Sequence, residues 1–493
     1  MNKITLTING KIFNLLVESH ETLAHVIREK AGLTGTKIGC EQGSCGTCTV
    51  LANNQPVLSC ITPAMRFDQA EITTIEGLDK NGELHKLQQK FVEKGATQCG
   101  FCTPGMVMTA LDFVNNHSLP SVDEIKEALS GNLCRCTGYK KIIEAVAEYA
   151  NEFNSGKEVN IQQSNHTSRI IGKPRPYIEA EKKVKGVAGY ADDIKPKNAL
   201  HCKFLRSIHA HAFIESIDAS EALKLPGVHY IATGKELPVK FGVLPISQDE
   251  TAMAVEKVRY LGEIVAAVAA DSEEIAAQAC KLIKVTYRPV KAFLEIDESL
   301  KDIGENEKIH AHCKFNNNIH KKAELRFGDQ QQGLKNSAFT SKMSFQFEGV
   351  SHGFTEPHAA TAWWDENGLT IITATQVPHY LHRALAKVME VPLIFAFVSL
   401  NLYVGGGFGR NPFPHEVIHL VLARAQTPVS VGFQEKVMHH NLKTSFKAGN
   451  GNRISRIEYL QALDADIAID GGAYGSFGVV ILITVYCFRR HIN

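Results

Sequence analysis

At 493 residues the chain is too long for one hydrophobic core, and at roughly 150 residues per domain it divides into about three. Its 44% hydrophobic share is that of a globular protein, and 53 basic against 52 acidic residues, with no long basic run, argue against nucleic acid or an anionic membrane as partner. The opening "MNKITLTINGKIFNLLV" alternates polar and apolar residues, unlike a signal peptide, and no apolar run approaches the ~20 residues of a membrane span, so the expected compartment is the cytoplasm, where stable disulfides are rare.

Ile4, Leu6 and Ile8 alternate into Asn9-Gly10, the dipeptide of a tight hairpin, and Ile12 to Val17 return. A helix is expected next, with Ser19 as its cap and Leu23, Val26 and Ile27 on one face. The loop "CEQGSCGTCTV" follows. Eight of the twelve cysteines precede residue 137, and Cys202, Cys280, Cys313 and Cys487 lie far apart. Cys40, Cys45 and Cys48 form CxxxxCxxC with Cys60 as a remote fourth, which is the plant-type 2Fe–2S spacing; structural zinc sites more often start from CxxC. Gly39, Gly43 and Gly46 let such a loop wrap tightly and turn backbone N–H groups toward the anionic cluster.

The second four are Cys99 and Cys102 in "CGFC", then Cys134 and Cys136 in "GNLCRCTGYK". Helical patterns flank both pairs. Leu84, Leu87 and Phe91 precede the first, and Pro104 to Val114 follow it with Thr103 as the expected N-cap. Ser121 to Leu129, opened by a Ser121/Glu124 capping box, precedes the second, and Lys140 to Phe153 follows it. Four helices with two cysteine-bearing turns make a small bundle able to hold a cluster, and zinc on four thiolates satisfies the same pattern.

A plant-type cluster loop followed by CGFCTPG and LCRCTGY resembles the two-cluster N-terminal region of the molybdenum hydroxylases, the xanthine dehydrogenase and aldehyde oxidase family. The resemblance implies a multidomain α+β protein. A β-grasp ferredoxin-like domain (1–76) precedes a four-helix 2Fe–2S domain (77–154). A linker (155–168) leads to an α/β hammerhead-like part (169–300) and a partial molybdopterin-binding domain (301–493). All eight cysteines named above then act as cluster ligands. The implied reaction is hydroxylation with water as oxygen donor, with two electrons leaving singly through the clusters.

Further along, "IGKPRPYIEAEKKVKGVAGYADDI" and "LRSIHAHAFIESIDASEALKLPGV" resemble the start of the family's molybdopterin portion. His209 and His211 are spaced two apart, as on one face of a strand, and are read as structural, since no third metal ligand is evident. An apolar strand Ile264 to Ala270, a capping box Asp271/Glu274, a helix holding Cys280 as a small apolar residue, and a strand Ile283 to Tyr287 are packing architecture. In "VGGGFGR" a dinucleotide fingerprint is weak, because its third glycine falls on Arg410. By resemblance, the loop residues Gly405, Gly406, Gly407, Phe408 and Gly409, with Gln376 of "TATQVPHYLH", line the molybdenum site.

The chain departs from the family in three places. No flavin domain separates the cluster and molybdopterin portions, which resembles either the flavin-free aldehyde oxidoreductase arrangement or one in which a separate flavin subunit is the partner. "RNPFPHE" replaces the purine-type continuation of the glycine loop, pointing to an aldehyde or aromatic substrate, and Glu416 is given no catalytic role. After Gly478 the pattern gives way to "VVILITVYCFRRHIN"; the family's base glutamate is expected on a complementing C-terminal polypeptide, the alternative being an inactive remnant that keeps two clusters. A homodimer is compatible with either reading.

Overall fold

The computed structural model describes residues 1–155, 175–324, 326, 328–337, 340–345, 351–398, 402–409, 429–432, 452–454, 460–475 and 478. The stretches 156–174 and 479–493, Arg410, Glu416 and Cys487 lie outside the described residues, and with them most of the expected linker and the divergent tail.

The N-terminal sheet has the order β2-β1-β5-β3-β4, from β1 (Asn2–Ile8), β2 (Lys11–Val17), β3 (Thr49–Ala52), β4 (Gln55–Leu58) and β5 (Glu71–Thr73). Asn9 and Gly10 take φ of 51° and 78°, the pair of left-handed residues that a two-residue hairpin turn requires. The Asn9 side chain also accepts from the Thr74 N–H at 2.9 Å, tying this turn to the end of β5. The helix is short, α1 (Leu23–His25) running into a wider turn at Val26–Lys30, and Leu23, Val26 and Ile27 are fully buried on the sheet. Its cap is Thr22, which accepts from His25 N–H, and not Ser19: residues 18–21 form a separate turn in which the Glu21 N–H donates to the Glu18 carbonyl.

Four helices follow: α2 (Lys86–Lys94), α3 (Thr103–Asn116), α4 (Val122–Ala128) and α5 (Lys140–Ser155). Ser121 and Glu124 cap α4 reciprocally, as the sequence predicts. In α3 the cap position is held by Cys102, one residue before the expected Thr103, because the thiol turn runs directly into the helix. Helix α5 runs two residues past the expected Phe153, to Ser155, and near its end Glu152 is buried against Lys90 of α2 at 2.8 Å.

In the second half a seven-stranded sheet has the order β14-β13-β12-β15-β6-β10-β8 and draws strands from both sides of residue 300. Its members are β6 (Leu200–Arg206), β8 (Val228–Thr233), β10 (Ile264–Ala270), β12 (Ala359–Asp365), β13 (Gly368–Thr373), β14 (Ala396–Val398) and β15 (Val429–Gly432). Strand β10 is apolar throughout because both its faces are covered: Ala267 and Ala269 face a core shared with Leu369, Leu381 and Leu385, while Ala266, Val268 and Ala270 face helix α8 (Glu273–Leu282). Helix α8 is capped by Ser272, which accepts from the Ile275 N–H at 3.3 Å, one residue later than expected. A three-stranded sheet adds β7 (Ala212–Asp218) between β9 (Lys257–Val258) and β11 (Lys284–Pro289). His209 and His211 sit in the turn before β7 and not on a strand. His211 Nδ1 meets the Lys291 carbonyl at 2.7 Å, and His209 packs edge-on to Tyr287.

Candidate functional site

The first four thiols sit on the loop leading into β3 and just after β4. Glu41, Gly43 and Gly46 have positive φ, which curls the loop around the thiols. Ser44 N–H donates to Cys40 Sγ at 3.3 Å and Cys60 N–H to Cys48 Sγ at 3.5 Å. The free thiols also hydrogen-bond in pairs, Cys40 with Cys45 and Cys48 with Cys60; the second hydrogen bond holds the Cys48 thiol below its ordinary range and Cys60 above it. Burial pushes Cys45 up.

The second four occupy the turns before α3 and α5, again in pairs: Cys99 with Cys136, and Cys102 with Cys134. The bond from Cys102, helped by Thr137, pulls the Cys134 thiol down to about 5, and Thr137 Oγ1 lies 3.1 Å from its sulfur. The Tyr139 hydroxyl accepts from Cys134 N–H at 2.9 Å and donates to the Asn132 carbonyl at 3.1 Å, holding the turn closed. Among the described residues no three His, Cys, Asp or Glu side chains converge on one ion. Two thiols and two thiols, with N–H groups on sulfur, form a four-thiolate set of the kind that holds a cluster of two irons or a tetrahedral zinc.

The two cysteine loops touch. Leu133 N–H donates to the Cys45 carbonyl at 2.9 Å, and Asn132 Nδ2 to the Gly46 carbonyl at 3.0 Å. Gly46 has φ +67° and no room for a side chain, since a Cβ there would lie 2.4 Å from the Gly131 carbonyl oxygen.

Both loops are fastened to the second half of the chain. Tyr190, 1% exposed, donates its hydroxyl to the Cys99 carbonyl at 2.7 Å and packs edge-on to Phe101. Arg135, between Cys134 and Cys136, donates to the carbonyls of His352 at 2.8 Å and Ser351 at 3.2 Å. Deeper in the same interface Asp193 pairs with Lys37 at 2.6 Å and Arg28 at 3.0 Å, all three side chains nearly without solvent.

The glycine loop packs on the same segment, Ser351 to Glu356. Buried Glu356 accepts from Gly405 N–H at 2.6 Å, and Gln376 Oε1 accepts from Gly409 N–H at 3.2 Å. A Cβ on Gly405 would lie 2.3 Å from Glu356 Cβ, and one on Gly407 would lie 2.5 Å from Gln376 Oε1. The structure thus brings Gln376 and the loop together, with Phe408 half exposed at φ 48°. Glu356, Tyr139, Tyr190 and Arg135 escape sequence reading. Of these Arg135 and Tyr139 carried a positional signal, lying inside the LCRCTGY motif.

A separate group of buried acids, Glu250 and Glu263, lines a small pocket with Tyr260 and Tyr474. Burial, with Asp249 and Glu263 adjacent, raises the Glu250 carboxyl to about 8.

Four family models match the chain: the 2Fe–2S iron-sulfur cluster binding domain over residues 6–66, the 2Fe–2S binding domain over 74–147, the aldehyde oxidase and xanthine dehydrogenase a/b hammerhead domain over 185–291, and the molybdopterin cofactor-binding domain over 309–489. An aldehyde oxidoreductase of Megalodesulfovibrio gigas is 29% identical over 499 residues, covering 97% of this chain, which spans 55% of that protein's length. The nicotinate dehydrogenase small FeS subunit of Eubacterium barkeri is 47% identical over 148 residues, 30% of this chain and 94% of that subunit. The solved aldehyde oxidoreductase from Desulfovibrio gigas, activated with sodium dithionite and sodium sulfide, superposes with a TM-score of 0.86 at 28% identity, over 98% of this chain and 55% of that one.

Proposed function

Because the chain belongs to the molybdenum hydroxylases of the xanthine dehydrogenase and aldehyde oxidase type, with two 2Fe–2S domains, a molybdopterin cofactor-binding domain and no flavin domain between them, we propose that it hydroxylates an aldehyde or heteroaromatic substrate with water as oxygen donor. The observation that carries this reading is the continuity of the site. Glycine loop, Ser351 to Glu356 segment, Arg135 and both cysteine loops are joined by direct hydrogen bonds. In this reading Cys99, Cys102, Cys134 and Cys136 hold the inner cluster, and Cys40, Cys45, Cys48 and Cys60 the outer one.

Molybdopterin, when bound, supplies the two-electron chemistry at the substrate carbon, and the clusters accept those electrons singly. The chain's own residues bind and orient. Gly406, Gly407 and Gly409 offer backbone without side chains on either side of Phe408, and Glu356 and Gln376 fix the loop by accepting from the Gly405 and Gly409 N–H groups. Tyr139 and Thr137 hold the inner thiols in place, and the bundle excludes water from Cys102. The exit lies at the outer loop, where Glu41, Gln42 and Ser44 are exposed, and a separate flavin subunit is the proposed acceptor there.

The test is metal analysis with electron paramagnetic resonance on the anaerobically purified, dithionite-reduced chain. About four irons per chain and two rhombic signals are expected. Zinc in place of iron overturns the cluster assignment, and iron without molybdenum restricts the chain to electron transfer.

A further inference from the structure

One cation lies against the inner cysteine turn without belonging to the cysteine-bearing domain. Lys183, in the short helix α6 (Ala180–Val184), is 4% exposed. Its stem lies flat on Gly100, at φ +87°, where a Cβ would come within 2.6 Å of Lys183 Cγ. Its ammonium donates to the Gln98 carbonyl at 2.8 Å, next to Cys99. The rings of Tyr177 and Tyr403 sit 4.5 Å and 5.1 Å from the nitrogen, and Glu179 reaches it at 3.1 Å from the solvent side.

An isolated ammonium is costly to bury, and here one carboxylate, itself partly in water, answers it. The residual positive charge acts through low-dielectric surroundings on whatever negative charge the neighbouring thiols hold. Reducing a 2Fe–2S cluster by one electron makes it one unit more negative, so a nearby cation favours the reduced form. We propose that Lys183 is a positioning residue that sets the reduction potential of the inner cluster, drawing electrons onto it from the molybdopterin side. This rests on the reading that Cys99, Cys102, Cys134 and Cys136 ligate that cluster.

The experiment is a dithionite titration of the full chain followed by electron paramagnetic resonance. Lys183→Met should lower the midpoint of one rhombic signal and leave the other unmoved, while Lys183→Arg should restore it. Glu179→Gln, which removes the opposing charge, should shift the same signal upward. Lys185→Met serves as control: it removes the same charge two residues away, where Asp79 and Glu181 already pair it, and should move neither signal. Unchanged midpoints in Lys183→Met overturn the proposal. If that variant loses the inner signal altogether, Glu179→Gln decides, and an unmoved midpoint there is equally fatal. A wild-type chain with one rhombic signal, or with zinc, contradicts the ligand assignment instead and so separates the two failures.

Discussion

Glu250 shows how a single side chain can cost stability. Its carboxyl is buried beside Asp249 and Glu263, and one of its oxygens is left without a hydrogen bond. The folded state therefore holds a proton up to about pH 8, whereas an unfolded glutamate releases it near 4.5. Between those values the folded chain binds more protons than the unfolded one, so stability is full below pH 4.5, falls as pH rises to about 8, and is flat beyond. Glu250→Gln should remove this slope and raise the denaturation midpoint at pH 8 more than at pH 5, measured by urea titration at both values. Gly46 makes the opposite case, a residue whose absent side chain permits a contact. Gly46→Ala places a methyl against the Gly131 carbonyl and forces an L-residue to φ +67°, so it should reduce iron per chain and separate the two loops. Iron analysis beside far-ultraviolet circular dichroism tests this, and unchanged iron content would refute it. The first cysteine quartet was legible from its spacing, and the second quartet and the glycine loop took their reading from the family resemblance of the motifs around them. Tyr190 and Glu356 were not legible, since their partners lie in loops whose approach no local pattern records.

At the scale of elements, periodicity located the hairpin, the four bundle helices and strand β10, and the errors fell on caps. Ser19 and Thr22 are both plausible caps by composition, and the choice was made by the Glu18–Glu21 turn that precedes the helix. Thr22→Ala should cost about 1 kcal/mol and Ser19→Ala close to nothing, compared by chemical denaturation. The reverse order would mean the helix begins earlier. Strand β10 reads as an apolar run without alternation because two cores claim its two faces. That ambiguity is resolved by what stands on either side, which the strand's own residues do not state.

For the molecule as a whole, the interface between the cluster domains and the second half is fixed by charge. Asp193 answers both Lys37 and Arg28 where water is nearly excluded. Asp193→Asn leaves two buried cations undercompensated, a loss on the order of 3–5 kcal/mol. The expected result is faster limited proteolysis between the halves with the reduced-cluster spectrum retained; an unchanged digestion pattern would argue against the ion pairs as the fastening. The sequence by itself determined where the two cysteine quartets, the helices that flank the second of them and the glycine loop lie, because cysteine spacing, capping and motif order are local properties, and the resemblance of those motifs supplied their roles. Only the tertiary structure decided that Gln376 and Glu356 hold that loop, that Arg135 and Lys183 tie the turns of the second four cysteines to the second half, and that one sheet joins strands from both sides of residue 300. Those contacts join residues up to hundreds of positions apart, and as hydrogen bonds to backbone groups of distant segments they depend on how the chain folds back, which no single segment encodes.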